Sequence, residues 1–437
     1  MNRDPDWAEL DRRCVWHPFT QMKTAPAPIP IERGEGVWLF TSDGRRLLDG
    51  VSSWWVNIHG HSHPRMNAAI SAQMEKVEQV IFAGFTHEPA SRLAAELVDR
   101  TPGDLGHVFY SDDGSTAVEV GMKMAAQWWA IRGETERDTF VAFELAYHGD
   151  TFGAMAAGGV AAFHSSFQPF FCRVERAPCP YAEARTDEEM DTAEDHCERE
   201  LERIFDERRG KIAGLILEPM VQGAGGMLIW RAPFVRRVAD LCQRHGVPLI
   251  ADEVFTGFGR TGRMFACEHA AVVPDILCVS KAISGGYMPL GATLCSDEIY
   301  EGFLSDDRAQ TFFHGHSYTA NPLSCAAGVE SLKIFDDERY LDRIGHLEGR
   351  FQERLTTLAS HDRVAHVRSL GGLAVLELEG SGGYFDDIGP RVAKALFERE
   401  VLLRPLGNVL YFLPPYVITD EEIDFVFDSI TAVLDEL

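Results

Sequence analysis

The stretch PDILCVSKAISGG, residues 274–286, carries one lysine, Lys281, at the end of an apolar run and just before a glycine pair. The chain has seven lysines, and the other six (Lys23, Lys76, Lys123, Lys211, Lys333 and Lys394) have polar neighbours or lie on readily solvated segments. Burying an ammonium group is costly unless its pKa falls or it reacts. A strand-end lysine that snorkels to water is the alternative. Three further sites of chemistry follow apolar runs. LIADEV places Asp252 and Glu253 directly after apolar and small residues, where a carboxylate caps a helix, pairs with a cation or holds a cofactor. SDDGSTAVE puts Gly114, Ser115 and Thr116 at a helix start, where free N–H groups and the positive end of the helix dipole suit a phosphate. The same pattern also serves as a plain N-cap. AYHGDT offers Tyr147 and His148 on a loop after another strand.

Taken together, these parts are what pyridoxal phosphate needs. Its aldehyde requires a lysine amine, its pyridine nitrogen a carboxylate that keeps it protonated, and its phosphate the amides of a helix start. In that reading Asp252 keeps the ring able to accept electrons, and Lys281, once displaced by the incoming amine, moves a proton. Asp252 and Lys281 are far enough apart in sequence for one crossover helix between adjacent parallel strands.

The elements that must position these groups are legible as alternating patterns. HVFYS, TFVAFE, AGLILEP, VPLIADEV and DILCVS are short apolar runs, as expected of strands buried on both faces, and they alternate with helical stretches such as STAVEVGMKMAAQWWA. This predicts an α/β fold, a mainly parallel sheet covered by helices, with ligands beyond the carboxyl ends of the strands. The expected division is an N-terminal segment, 1–60, that joins a small α+β domain at 331–437, and a large domain at 61–330. The acidic stretch TDEEMDTAEDHCERELERIFDERRG reads as a solvated helix face.

Composition narrows the partners. A net charge of −26 argues against nucleic acid and anionic membrane surfaces, and no run of about 18 apolar residues is present. The charged start MNRDPDWAELDRRC lacks the apolar core of a signal peptide, so a cytoplasmic location is expected. Nine cysteines are scattered without a CxxC pair, and Cys172 and Cys179 match no zinc spacing. They read as reduced thiols, with no metal site.

LILEPMVQGAGGM, LIADEVFTGFGRTG, SKAISGGYMPLG and FFHGHSYTANPLSCAAG resemble the class III pyridoxal-phosphate aminotransferases over nearly the whole chain. That resemblance implies the fold type I architecture, with Lys281 as the Schiff-base lysine. It further implies that Gly114 and Ser115 bind the phosphate, that Tyr147 stacks on the ring and that Val254 lies on its other face. Gln222 falls near the ring hydroxyl, and Glu218 is the acidic residue beside the site. Gly315, His316 and Ser317 match a segment that the neighbouring subunit lends to the phosphate, which implies a homodimer. Most relatives have Thr at Ser317, which keeps the hydroxyl.

VWHPFTQMK and DGVSSWWVNIHGHSHP resemble the branch of that family that works in biotin biosynthesis. The implied reaction moves an amino group onto the ketone of 8-amino-7-oxononanoate, with S-adenosylmethionine as the expected donor. Trp54 and Trp55 suit the walls of a tunnel for a long aliphatic acceptor, or a sulfonium cation, or simply packing between domains. Arg404 matches the arginine that pairs with the acceptor's carboxylate, where a guanidinium makes two parallel hydrogen bonds. Asp150 matches a position near the substrate amine. Phe19, where adenosylmethionine users have Tyr, and the segment Gly315-His-Ser-Tyr318 instead resemble a branch that takes its amino group from lysine. The competing readings are another ω-amine transaminase, a mutase or decarboxylase of the same cofactor class, and a non-enzymatic regulator on the same fold.

Overall fold

The apolar runs assemble into one seven-stranded sheet in the computed structural model, which describes residues 7–437. Its spatial order is His107–Ser111, Gly291–Cys295, Ile276–Val279, Leu249–Asp252, Ile212–Leu217, Thr139–Phe143 and Arg173–Ala177. From Ile276–Val279 to Arg173–Ala177 all neighbours are parallel. Gly291–Cys295 runs antiparallel to both of its neighbours. The inner strands are buried along their whole length, which is why they read as continuous apolar runs without alternation.

Asp252 and Lys281 do follow adjacent parallel strands, with Asp252 paired in register with Cys278. The expected crossover helix between them is absent; the connection holds only a short 3-10 turn, Ala266–Ala270. Glu253 takes over the work a helix would do. Its buried carboxylate accepts hydrogen bonds from Thr256 Oγ1 (2.9 Å), Ala266 N (2.8 Å) and Cys267 N (2.8 Å). The two adjacent acids are thus divided, one facing the site and one tying down the crossover.

The strands Ile31–Glu35, Trp38–Thr41 and Arg46–Asp49 form a second sheet that the distant strand Val401–Leu402 completes in parallel with Arg46–Asp49. A third, antiparallel sheet contains Val364–Leu370, Leu373–Leu378 and Val409–Phe412. The helices Tyr340–Leu358 and Asp420–Glu436 bury apolar stripes in the same core. The acidic stretch is the helix Asp187–Glu207. It exposes most of its charge, but it turns Glu194 inward against Arg231 Nε (2.5 Å) and Arg237 Nη2 (2.6 Å). Among the described residues no helix is long and apolar enough to cross a membrane, and no cysteine is bonded to another. The first residues of the stretch read as lacking a signal peptide, 1–6, lie outside the described residues.

Candidate active site

The carboxyl ends of the central strands open into a cavity of about 670 Å³ whose walls include Gly114, Ser115, Tyr147, Asp252, Val254 and Lys281. Lys281 follows the strand Ile276–Val279 with φ +47°, a left-handed backbone that costs a side-chain-bearing residue on the order of 1 kcal/mol or more. Its Nζ lies over the indole of Trp55 at 4.6 Å from the ring centre and 5.5 Å from that of Phe255. Among the described residues it has no hydrogen-bond or ion-pair partner. Burial pulls its pKa down to about 8, against the opposing charges of Asp252 and Glu218, with the Arg260 cation adding to the fall. The amine is therefore substantially neutral, and nucleophilic, near pH 8.

Asp252 Oδ1 accepts from Val254 N (3.0 Å), and Oδ2 lies 2.7 Å from His148 Nδ1. His148 is buried, and among the described residues its Nε2 has no partner. With Nδ1–H donating, the imidazole fixes the carboxylate's direction. Glu218 accepts from Tyr147 N and Gly223 N, both at 2.9 Å, and burial pushes its pKa up to about 7. Tyr147 donates its hydroxyl to Asp150 Oδ2 (2.9 Å), and burial raises the phenol far above its ordinary range.

The helix Gly114–Ile131 begins with a capping box, in which Asp113 Oδ1 accepts from Thr116 N (2.8 Å) and Asp113 N donates to Thr116 Oγ1 (3.1 Å). The Gly114 and Ser115 N–H groups are left to the cavity end of the helix dipole. Gly114 is required there by contact, since a Cβ would stand 2.4 Å from Val254 Cγ1. Ser115 Oγ accepts from Thr151 N (3.0 Å), which steadies it beside the helix start. An unpaired buried amine, a buried carboxylate and an open helix start around one cavity fit pyridoxal phosphate.

A second chamber of about 370 Å³ shares Trp55, Tyr147 and Lys281 with the first, and it is walled by Phe19, Trp54, Arg404 and Tyr411. The Arg404 guanidinium lies over the Trp54 indole, 4.4 Å from its ring centre, and no carboxylate pairs with it among the described residues. Phe19 meets the same indole edge-on at 5.7 Å. Sequence reasoning missed Tyr411, whose hydroxyl accepts from Trp55 Nε1 (3.0 Å); it also gave His148 no role, though the residue next to Tyr147 was flagged.

The two tryptophans stand on a conformation that no sequence pattern announced. Ser52, Ser53, Trp54 and Trp55 all have positive φ, from 46° to 92°, and form a left-handed turn without a glycine. Asp49 holds it: Oδ1 accepts from Val51 N (3.2 Å) and Ser53 N (3.0 Å), and Oδ2 from Ser53 Oγ (2.9 Å) and His61 Nε2 (2.9 Å). Asp49→Ala would strand these buried donors, and we expect it to lower stability by about 2–4 kcal/mol. The check is the urea unfolding midpoint, and an unchanged value would show that the turn is held by other contacts.

Not every expected residue reaches the cavity. Gln222 is buried beside it but not on its wall; its Oε1 accepts from Cys179 Sγ (2.9 Å) and its Nε2 donates to Glu144 O (3.2 Å). Gly315, His316 and Ser317 lie on a largely exposed loop and do not line this chain's own cavity. His316 Nε2 is 3.8 Å from Asp112, and Ser317 O accepts from Gln79 Nε2 (2.6 Å).

The chain matches the family described as Aminotransferase class-III over residues 19–434. It is 45% identical to the adenosylmethionine-8-amino-7-oxononanoate aminotransferase of Geobacter sulfurreducens, covering 97% of this chain and 96% of that one. With the enzyme of the same description from Synechococcus elongatus the identity is 46%, covering 97% and 99%. Among solved structures, the adenosylmethionine-8-amino-7-oxononanoate aminotransferase of Methanocaldococcus jannaschii superposes with a TM-score of 0.92 at 37% identity, covering 98% of each chain. An amine transaminase from an uncultivated Pseudomonas species, in its PLP-bound form, gives a TM-score of 0.90 at 32% identity, covering 97% of this chain and 98% of that one.

Proposed function

The chain belongs to the class-III aminotransferases, and from that premise we propose that it transfers an amino group from S-adenosylmethionine to 8-amino-7-oxononanoate, a step of biotin biosynthesis. One observation carries the choice of acceptor. The unpaired Lys281 amine and the unpaired Arg404 guanidinium face the same aromatic chamber, with apolar surface between them. An aliphatic chain with a ketone at one end and a carboxylate at the other fits that arrangement. The relatives' descriptions supply the donor.

Bound in the cavity, pyridoxal phosphate supplies an electron sink that makes the proton on an amine-bearing carbon removable. In our reading Lys281 would hold the coenzyme through Nζ and, when the incoming amine takes its place, would carry that proton. Asp252, aimed by His148, holds the ring nitrogen protonated. The amides of Gly114 and Ser115 would hold the phosphate, Tyr147 and Val254 would flank the ring, and Gln222, behind the cavity wall, would support the side of the ring hydroxyl. Glu218 stands beside them, Asp150 lies toward the substrate amine, and Phe19, Trp54 and Trp55 exclude water around the acceptor. Gly315, His316 and Ser317 serve the phosphate of a second copy. The exposed Phe313 and Tyr318 beside that loop suit burial in a homodimer. Unpaired thiols suit a reducing cytoplasm.

The test is formation of 7,8-diaminononanoate by the loaded protein from 8-amino-7-oxononanoate with either S-adenosylmethionine or lysine. Adenosylmethionine alone should suffice. Product only with lysine would reassign the donor, and no product with either would remove the acceptor.

A further inference from the structure

The turn that carries Lys281 packs against a buried imidazole that is not part of the cavity wall. His59 is 2% exposed, and its ring nitrogens lie 3.0 Å from Tyr340 Oη and 2.8 Å from Ser331 Oγ. Ser331 Oγ in turn is 3.4 Å from the carbonyl of Ala282, the residue after Lys281. A carbonyl only accepts, so the Ser331 hydroxyl donates to it, and the Ser331 oxygen accepts from His59 Nε2–H. His59 Nδ1 is left to accept from the Tyr340 hydroxyl. Burial, with smaller contributions from the neighbouring His63 and Arg65 side chains, pushes the His59 pKa down to about 3, so the ring keeps one donor and one acceptor at any working pH.

The same ring touches the backbone that closes the turn. Gly285 has φ +60°, donates its N–H to the Ala282 carbonyl (2.9 Å), and would drive a Cβ to within 2.4 Å of His59 Cδ2. Lys281 itself, at φ +47°, holds a backbone that persists only where its surroundings over-determine it. We infer that His59 is a positioning residue for Lys281: through Ser331 and through its contact with Gly285 it locks the left-handed turn that aims the amine into the cavity. The inference rests on the reading of Lys281 as the residue that binds pyridoxal phosphate.

Its side-chain chemistry can be dissected. Gln at position 59 can keep the donor that Nε2–H supplies, whereas Leu supplies neither donor nor acceptor. Ser331→Ala removes only the hydroxyl that reaches Ala282 and is small enough to keep the fold if His59→Leu does not. The measurement is the rate at which each cofactor-free protein attaches pyridoxal phosphate covalently at Lys281, followed by stopped flow and located by mass spectrometry after borohydride trapping. Attachment should slow about tenfold in Ser331→Ala and His59→Leu, ~1.4 kcal/mol in the barrier, and stay within about twofold of the parent in His59→Gln. Unchanged attachment in Ser331→Ala, or His59→Gln as slow as His59→Leu, would overturn the inference. Failure of the parent protein to attach the cofactor at Lys281 would overturn the reading beneath it instead.

Discussion

Lys281→Ala is expected to lower amino transfer by about 10³-fold or more, while the protein still folds and still retains pyridoxal phosphate without a covalent link. In the proposed reading the loss combines two functions in one atom, since Nζ would both bind the coenzyme and carry the proton. Retention follows from the helix start at Gly114 and Ser115 and from Asp252, which are untouched by the change. The fold should survive for a physical reason. The Lys281 ammonium is desolvated and without a partner among the described residues, so it opposes folding, and its removal relieves that cost. Alanine at φ +47° keeps the backbone strain, so the gain is small. Turnover, equilibrium dialysis of the coenzyme and the melting temperature of the cofactor-free protein check the three parts. Appreciable turnover in the variant would remove Lys281 from its role, and a collapse in melting temperature would show that the amine is structural.

How much of this was legible beforehand depends on how local each cause is. Lys281 and Asp252 were legible because a charged residue at the end of a fully apolar strand has few uses. The parallel strands were legible because burial on both faces leaves no polar alternation to confuse them. Gly291–Cys295 was not, because its short run sits between Pro289 and Ser296, and its antiparallel place is set by His107–Ser111, far off in sequence. Arg173–Ala177 escaped because an edge strand tolerates the charges of RVERA. The crossover carries no helix, and Glu253 ties it down instead, its carboxylate accepting from Ala266 N and Cys267 N, a long-range arrangement with no local signal. The left-handed turn at Ser52–Trp55 is the deepest miss, because positive φ is ordinarily announced by glycine or asparagine. Here it is imposed by Asp49 and by Ser52 Oγ, which donates to Leu413 O at 2.7 Å. Arg404 and the loop at Gly315, His316 and Ser317 carried no local signal, and only resemblance singled them out.

Asp252→Asn should remove most activity, on the order of 10²–10³-fold in kcat, without loss of the coenzyme. The amide is isosteric: its oxygen can still accept from Val254 N, and its NH2 can donate to His148 Nδ1 once the ring proton moves to Nε2, so the loop geometry survives. What disappears is the negative charge that, in the proposed reading, makes a proton on the ring nitrogen favourable in a buried site. The consequences reach Lys281 with a definite sign. Asp252 is the largest influence holding the Lys281 pKa up against desolvation, so its neutralisation should drop that pKa below about 8. The amine would then be neutral over a wider pH range, and the alkaline rise of coenzyme attachment should begin at lower pH in the variant. Activity and attachment therefore move in opposite directions, which a general loosening of the site would not produce. A coenzyme alkylated at its ring nitrogen carries the missing charge permanently, and it should restore part of the lost turnover to Asp252→Asn while giving the parent protein nothing. Full activity in Asp252→Asn with the ordinary coenzyme, or no restoration by the alkylated one, would separate Asp252 from the ring nitrogen.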